Sequence, residues 1–431
     1  MSSKRPALFV SFALALALVL FAPSAAWAAP GDLDTTFGGG DGVVTIHGSV
    51  EAGRILRQPL GWFVVAGSLN GNVFLARYRG DGSRYKVFGG GDGVATLDFQ
   101  GGLDSVSGLN RMPDGRLVVS GTSEDSGGVN RRISAARFTP VGVPDSTFSG
   151  DGKTTTAFPG YGESVGLGSA LQPDGKLVVA GFALNSTDSD LVVVRYRANG
   201  TLDSSFSGDG RFTIDLGGDD HAWVVRLLSD GTILAAGESI GSNAASGARM
   251  ALVWLTPSGN LSHAYGGGDG KAIVDLFPNN AEETAHAVFV LGSGKIVVVG
   301  DANRGGGGQD VVEVRLTPSG AKDHTFGGGD GVVVSDGGGG DDFVSGAVRL
   351  SDGTVVVALA SKGLAASSPY EFAVARLRPN GTADPTFGTG GFARPFAGQD
   401  GRANDTFVRP NGRIMVTGRV NATITTVRLL P

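Results

Sequence analysis

The sequence predicts an all-β protein, a seven-bladed β-propeller made of four-stranded antiparallel blades. Three observations carry this prediction. A glycine-rich phrase recurs along the chain, and a short apolar run lies between its copies. A third run, whose second-last residue is usually Arg, follows each apolar run. Seven copies of each element, in the same order, fill residues 31–431. Tandem units of about 60 residues suit propeller blades, whereas the coils of a linear β-solenoid, the alternative, are far shorter.

Residues 1–28 have the pattern of a secretory signal peptide. Lys4 and Arg5 precede an uncharged stretch, and Ala26 and Ala28 form an A-x-A cleavage site. A membrane anchor is the alternative, but a spanning helix needs about 20 apolar residues and no second candidate follows. We therefore expect residues 29–431 to form one exported propeller domain, secreted to the periplasm or the extracellular space, without a membrane span and monomeric.

Composition narrows the class of partner. The chain has no cysteine, so we expect neither disulfides nor a lipid attached to cysteine. It carries 35 Lys and Arg against 41 Asp and Glu, a formal charge of −6. Binding of nucleic acid requires a concentrated basic patch, so this mildly acidic balance argues against a nucleic-acid partner.

The glycine-rich phrase first occurs as FGGGDGVV, residues 37–44. In a phosphate-binding loop the glycines open a helix, but each copy here leads into a run rich in Val or Thr that is typical of a strand. Calcium-binding β-roll repeats have a period of about nine residues, which is also absent. Further copies begin at Phe88, Phe148, Phe206, Tyr265, Phe326 and Phe387.

We interpret the phrase as a structural turn. Glycine supplies the positive φ angle, and the aspartate caps the turn by accepting hydrogen bonds from nearby amides. The aromatic residue that opens each copy is expected to wedge between neighbouring blades. Calcium at individual loops stays open because carboxylate and carbonyl oxygens are plentiful there, and no other cofactor is predicted. The capping residues are Asp41, Asp92, Asp151, Asp209, Asp269 and Asp330.

The other elements supply the remaining strands. Runs such as DGKLVVAG, which ends at Gly181, are continuously apolar and suit a strand that is buried on both faces. An apolar stretch before each Asp-Gly turn is long enough to pair with this run as a hairpin. The strand order within a blade is then the run before the turn, the run after it, the run with Arg, and the stretch after the glycine phrase. Leu359 departs from the pattern by replacing a closing glycine.

These units resemble the delta-60 repeat family, bacterial exported proteins with tandem units of this length. The resemblance covers Gly31 to Pro431 and rests on three elements in the same order, for example FGGGDG, DGKLVVAG and VVVRY. It implies a propeller fold and an export route. It implies no shared activity and no catalytic residues.

An Arg and an Asp recur eight residues apart. Where Trp254 replaces the Arg, Ser262 replaces the Asp, and Tyr85 stands opposite Arg77. Because both partners are lost together in one repeat, we predict that they form a direct ion pair. The pairs are Arg137 with Asp145, Arg195 with Asp203, Arg315 with Asp323, and Arg376 with Asp384.

Seven acidic residues, each about ten residues before an Asp-Gly turn, form the candidate ligand site. At the start of the innermost strands they would ring one mouth of the central channel and bind a cation or a polar ligand. The alternative is that each acid fastens its own loop by accepting hydrogen bonds from backbone amides. It is supported by geometry, because calcium ligands must lie about 2.4 Å from the ion and seven acids spread around a ring cannot all reach one ion. The set is Glu51, Asp104, Glu163, Asp220, Glu283, Asp342 and Asp400.

Two classes of function remain open. The favoured hypothesis is a non-enzymatic binding scaffold for an extracellular protein or a polysaccharide, because an enzyme usually disrupts its own repeat where catalytic groups are recruited. The alternative is an extracellular hydrolase or lyase with an axial, cation-dependent site. His221 beside Asp220 and His286 near Glu283 would supply its acid and base, and segments 238–247, 303–310 and 361–370 would be its specificity loops.

The strands at the two ends of the chain each lack a pairing partner within their own repeat. Gly42–Ile46 is an outermost strand without inner partners, and Thr423–Leu429 is a third strand without a fourth. Unpaired edges expose a ladder of backbone amides and carbonyls, so we predict that these two strands pair antiparallel and close the ring. Asp34 would then meet Arg428.

Overall fold

The computed structural model describes residues 28–48, 50–241, 247–277, 281–303, 308–363, 365 and 367–431. The predicted signal peptide lies outside this range except for Ala28. Within the range, no helix has the length and apolar character needed to cross a bilayer.

The described residues form 28 strands in seven antiparallel four-stranded sheets, which are the blades of a propeller. The innermost strands of blades 1–7 are β2 (Val50–Arg57), β6 (Gly101–Arg111), β10 (Glu163–Leu171), β14 (Gly218–Leu227), β18 (Glu283–Val290), β22 (Gly339–Arg349) and β26 (Gly401–Val408). The second strands are β3 (Phe63–Leu69), β7 (Leu117–Asp125), β11 (Leu177–Leu184), β15 (Ile233–Gly241), β19 (Ile296–Asn303), β23 (Val355–Gly363) and β27 (Ile414–Val420).

The two outer positions complete each blade. The third strands are β4 (Asn72–Tyr78), β8 (Arg132–Phe138), β12 (Ser189–Tyr196), β16 (Ala248–Leu255), β20 (Gln309–Leu316), β24 (Tyr370–Leu377) and β28 (Thr423–Leu429). The outermost strands are β5 (Val94–Leu97), β9 (Lys153–Thr156), β13 (Arg211–Ile214), β17 (Lys271–Val274), β21 (Val332–Ser335), β25 (Phe392–Ala393) and, in blade 7, β1 (Val43–His47). The predicted strand order is confirmed in every blade.

The ring closes between the two ends of the chain, as predicted. β1 pairs antiparallel with β28 over the register from Val43 opposite Val427 to His47 opposite Thr423. Asp34 accepts a hydrogen bond from Arg428 Nε at 2.8 Å. Blade 7 therefore takes its outermost strand from the start of the chain and its other three strands from the end.

The aromatic residue of the glycine phrase lies between blades, which confirms the predicted wedge. Phe37 is fully buried and packs against Phe63 of blade 1, with 5.9 Å between ring centroids. The same apolar cluster includes Met415 and Ile424 of blade 7. Apolar burial is the main source of stability in a chain without disulfides, and much of the core here lies between neighbouring sheets.

The glycine phrase is a capped turn in each of the six copies that contain the aspartate. Asp41 Oδ1 accepts a hydrogen bond from the backbone N–H of Val43 at 2.9 Å, and Gly42 between them has φ +81°. The turn then enters an outermost strand. The aspartates that make the same contact are Asp92, Asp151, Asp209, Asp269 and Asp330.

The predicted Arg–Asp pairs form in all four repeats. In blade 3, Arg195 Nε lies 2.9 Å from Asp203 Oδ2, and both side chains are less than 5% exposed. The guanidinium also donates to the carbonyl of Pro257 in the next blade and lies 4.8 Å from the ring centroid of Phe206. The other pairs have Nε–Oδ2 distances of 2.7 Å for Arg137–Asp145, 2.6 Å for Arg315–Asp323 and 2.8 Å for Arg376–Asp384.

The two repeats that lack the pair replace it with aromatic contacts. In blade 4, Trp254 stacks on Tyr265 with an interplanar angle of 3°. In blade 1, the guanidinium of Arg77 lies 5.6 Å from the ring centroid of Tyr85 and 5.1 Å from that of Trp62. A cation held over an aromatic face retains part of the favourable interaction that the missing carboxylate would have supplied.

Candidate functional site: the axial channel and its mouth

A β-bulge interrupts each innermost strand at the same position. In blade 4 the register of β14 against β15 shifts between Ala222 and Val224, so that Trp223 is the extra residue. Bulges redirect side chains and are over-represented next to active sites. The extra residues of blades 1–7 are Gly53, Ser107, Leu167, Trp223, His286, Ser345 and Asn404.

A glycine within the second strand lies opposite this bulge in blade 3. A Cβ atom on Gly181 would lie 1.8 Å from the carbonyl oxygen of Val165 in the innermost strand. The Val165 carbonyl would have to move to admit a side chain at Gly181, which accounts for the glycine in this blade. In blade 6, where Leu359 replaces that glycine, the register still shifts between Val344 and Gly346.

The innermost strands enclose an axial channel with a cavity of about 220 Å³. Every blade contributes to its wall, and the charged members are Arg54, Arg226 and Asp405, with His286 beside them. Burial raises the pKa of Asp405, while the charges of Arg54 and Arg226 oppose that rise. Two guanidinium groups facing one carboxylate give the channel an excess of positive charge.

His286 is oriented by a buried carboxylate. Its Nε2 lies 3.1 Å from Oδ2 of Asp301, which is 4% exposed and also accepts the backbone N–H of Val344 at 3.0 Å. With Nε2–H donating to Asp301, Nδ1 of the neutral ring carries the lone pair. The indole of Trp223 lies beside this imidazole, with 5.6 Å between ring centroids.

His221 belongs to a second network that also includes Trp223. Glu238 Oε1 lies 2.9 Å from His221 Nδ1 and accepts a hydrogen bond from Trp223 Nε1 at 3.2 Å. Thr284 donates to Oε2 of the same carboxylate at 2.6 Å. Burial opposes ionisation of Glu238, but the hydrogen bonds from His221 and Thr284 outweigh it and lower the pKa. The network fixes the indole edge from one side.

The order Ser189, His221, Glu238 has the connectivity of a Ser–His–acid triad. Ser189 Oγ lies 2.9 Å from His221 Nε2. However, Ser189 is only 3% exposed, and its hydroxyl also donates to Asp219 Oδ1 at 2.7 Å. A nucleophile must reach its substrate, so we interpret this arrangement as a tie between blades 3 and 4.

The seven predicted acids do not share one environment. Asp104, Asp220, Glu283 and Asp342 are at most 2% exposed, and each accepts backbone N–H groups from the loop before its strand. Burial raises the pKa of Asp220 to about 6. It likewise raises the pKa of Glu283 to about 7 and of Asp342 to about 6.

The other three acids lie nearer to solvent. Glu163 pairs with Arg131 at 2.8 Å, and Asp400 pairs with Arg419 at 2.9 Å. Glu51 and Asp104 line a cavity of about 410 Å³ near the boundary of blades 1 and 2. The contacts of the four buried acids match the alternative in which each acid fastens its own loop, whereas those of Glu163 and Asp400 do not. A ligand-binding role for the set stays a prediction.

Sequence reasoning identified His221 and His286 but missed the groups around them. Trp223 is recognisable only as a large residue at a position that other blades fill with Gly53 or Ser107. Glu238 and Asp301 come from second strands and become partners through strand pairing. Of the three predicted specificity loops, residues 242–246, 304–307, 364 and 366 lie outside the described residues.

Comparison with known proteins supports a propeller repeat family. Residues 113–148, 172–206, 291–326 and 350–387 match a family model described as "Domain of unknown function (DUF5122) beta-propeller". No curated protein matches the chain.

Solved structures with a similar fold include two lyases. A catalytically inactive virginiamycin B lyase from Staphylococcus aureus with quinupristin has 10% identity and a TM-score of 0.50, over 90% of this chain and 99% of that chain. A PL25 ulvan lyase bound to GlcA(1-4)Rha3S has 11% identity and a TM-score of 0.51, over 90% of this chain and 96% of that chain. Likeness at this identity establishes the fold alone.

Proposed function

We propose that the protein is an exported, non-enzymatic member of the delta-60 repeat family that binds an acidic polysaccharide at the mouth of its axial channel. The observation that carries the proposal is the channel wall, where Arg54 and Arg226 face one carboxylate and Trp223 lies beside His286. Guanidinium groups recognise carboxylates and sulfates. An indole presents an apolar face that suits the ring of a sugar.

The size of the cavity limits what can enter. At about 220 Å³ it is smaller than the roughly 300–1,000 Å³ of pockets that enclose drug-sized ligands. It therefore suits one sugar residue or a chain end, while the rest of the polysaccharide would lie across the mouth.

Calorimetric titration of residues 29–431 with acidic and neutral oligosaccharides tests the proposal. Variants can borrow residues that other blades already place at the same positions: Trp223→Leu follows Leu167, and Arg226→Asn follows Asn110. We expect each to weaken binding of acidic oligosaccharides at least tenfold, while Leu167→Ser leaves it unchanged. A flat titration with every acidic oligosaccharide, or affinities unchanged in both variants, would contradict the proposal.

A lyase is the second candidate, and the His286–Asp301 contact favours it. A carboxylate that orients an imidazole is a recurrent arrangement for a general base. Arg226 could neutralise a uronate carboxylate while His286 takes the proton from the adjacent carbon. The glycosidic C–O bond on the next carbon then breaks to leave a C=C bond, and its oxygen departs with the bonding pair and takes a proton from water. The sign of this activity is ultraviolet absorbance from an unsaturated product. We expect His286→Ser, which copies Ser107 and Ser345, to abolish any turnover while binding persists. Turnover that survives in this variant would exclude the assigned base.

A further inference from the structure

Three aspartates from two blades converge at the boundary of blades 3 and 4. Asp190 lies in β12, Asp215 follows β13, and Asp220 lies in β14 of the next blade. One carboxylate oxygen of each lies within 4.8 Å of the others. Asp190 and Asp220 are 5% and 0% exposed, whereas Asp215 is exposed, so the cluster opens to solvent on one side.

Two oxygens in this cluster lack a donor. Oδ1 of Asp190 and Oδ1 of Asp220 are buried without a hydrogen-bond partner. The opposite oxygens are occupied, since the hydroxyl of Tyr161 donates to Asp190 Oδ2 and the backbone N–H of Leu216 donates to Asp220 Oδ2. Ser239 lies across the strand pair from Asp220, and its hydroxyl is close enough to lower the pKa of that carboxyl. It still leaves Oδ1 without a hydrogen bond of good geometry. Buried carboxylate oxygens without a partner are rare and call for an explanation.

No described Lys, Arg or His forms an ion pair with any of the three aspartates. Two other blade boundaries differ in this respect. Arg131 pairs with Glu163 at 2.8 Å between blades 2 and 3, and Arg249 pairs with Asp275 at 3.4 Å at the end of blade 4. At those boundaries an arginine of the chain pairs with the acid, whereas between blades 3 and 4 the chain places a third carboxylate instead.

We propose that a calcium ion binds Asp190, Asp215 and Asp220 and joins blade 3 to blade 4. Calcium prefers hard oxygen ligands at about 2.3–2.6 Å, so two ligands on opposite sides of one ion lie up to about 5 Å apart. The observed separations fall within that limit. Magnesium requires about 2.0–2.1 Å and near-ideal octahedral geometry, which this looser cluster fits less well. The exposed side at Asp215 gives the ion an entry path and room for water ligands.

This site differs from both calcium locations that the sequence left open. It is not in the glycine phrase, whose aspartates cap turns. It is not the axial ring either, because only Asp220 belongs to that set, while Asp190 lies in a third strand and Asp215 follows an outermost strand. A similar cluster of Asp310, Asp336 and Asp342 lies between blades 5 and 6, but Arg394 interacts electrostatically with Asp342 there. The proposal is therefore confined to the cluster between blades 3 and 4.

The test uses residues 29–431 after removal of metal by a chelator, titrated with calcium in a calorimeter. The variant is Asp215→Asn, which changes an exposed ligand and leaves the buried aspartates in place. The matched control is Asp275→Asn, which alters the equivalent residue at the boundary where Arg249 supplies the cation. Circular dichroism of the calcium-free proteins establishes that each variant is folded.

We expect the wild-type protein and the Asp275→Asn control to bind calcium and to gain thermal stability from it. In Asp215→Asn, the affinity of one site should fall at least tenfold and the corresponding gain in Tm should disappear. The proposal is overturned if the stripped wild-type protein shows no calcium heat, or if Asp215→Asn binds calcium with the affinity and stoichiometry of the wild type.

A second readout does not depend on an altered ligand. Terbium occupies calcium sites and emits when a nearby aromatic ring transfers energy to it, and the hydroxyl of Tyr161 touches Asp190. We expect Tyr161→Phe to lower the terbium emission several-fold relative to the wild type, while the calcium affinity changes less than threefold. Emission that is unchanged in Tyr161→Phe would place the bound ion elsewhere and overturn the assignment.

Discussion

The Arg195–Asp203 pair should couple strongly in a double-mutant cycle. Both side chains are less than 5% exposed, and removing one partner of a buried pair typically costs about 3–5 kcal/mol because the other charge is left without compensation. Arg197 and Lys176 also approach Asp203, at 3.4 and 3.7 Å. They remain as partners after Arg195→Ala, so we expect the lower end of this range, about 3 kcal/mol.

The cycle compares Arg195→Ala, Asp203→Ala and the double variant by chemical denaturation at pH 7. We expect a coupling free energy of about 2 kcal/mol, within the range for residues in one ion-pair network. The matched control is Arg419 with Asp400, whose side chains are 43% and 49% exposed. Exposed pairs contribute less than about 1 kcal/mol, so the control cycle should be nearly additive. Additive losses in the first cycle, or equal coupling in both, would refute a desolvated contact.

The same pair should make the free energy of unfolding depend on pH in the acid range. Burial opposes ionisation of Asp203, but the hydrogen bonds from Ser205 and the charges of Arg195 and Lys176 outweigh it and lower the pKa to about 2. A carboxylate with a lowered pKa contributes its full stability above its unfolded value, here 3.8, and loses it as the pH falls towards the folded value. The measured coupling should therefore shrink between pH 4 and pH 2.

Three further perturbations test the packing of the ring. Gly181→Ala places a methyl group 1.8 Å from the Val165 carbonyl oxygen and should lower the free energy of unfolding by about 3 kcal/mol. The control is Gly162→Ala, whose added Cβ would have no atom within 4 Å and should leave stability unchanged. Equal losses in the two variants would exclude the clash. Burial raises the pKa of Glu313 to about 7 from 4.5, so the stability of the wild-type protein falls as the pH rises between those values. Glu313→Val should therefore stabilise the protein by about 3 kcal/mol at pH 8 and by little at pH 4. A gain in stability that is the same at both pH values would refute the buried charge. Deleting residues 423–431 removes β28 from blade 7 and should produce oligomers in light scattering, while a monodisperse monomer would contradict the closure.

The architecture was predictable because the seven copies of the repeat can be compared with one another within the sequence. The Arg–Asp contact could be inferred from a single coincidence, the joint replacement by Trp254 and Ser262. Ring closure followed from the unpaired strands at the two ends. In each case the evidence was a difference between copies of one unit, and that evidence is available without a structure.

The composition of the channel was not predictable in the same way. Trp223 is the extra residue of a bulge that exists only in the pairing of β14 with β15. Glu238 and Asp301 lie 15 residues from Trp223 and His286 respectively, and only strand register makes them partners. The cluster of Asp190, Asp215 and Asp220 is assembled across two blades, so no single repeat contains its pattern.

The bulge in each innermost strand also bears on how such a ring could acquire new specificities. Ladder residues of an innermost strand are held opposite residues of the second strand, but the extra residue is excluded from the ladder. Glycine, serine, leucine, tryptophan, histidine and asparagine all occupy it within this one chain. The fold thus carries one such position in each blade, and those held by Ser107, Trp223 and His286 line the channel. A change at these three would alter the surface presented to a ligand without altering the register that holds the blade.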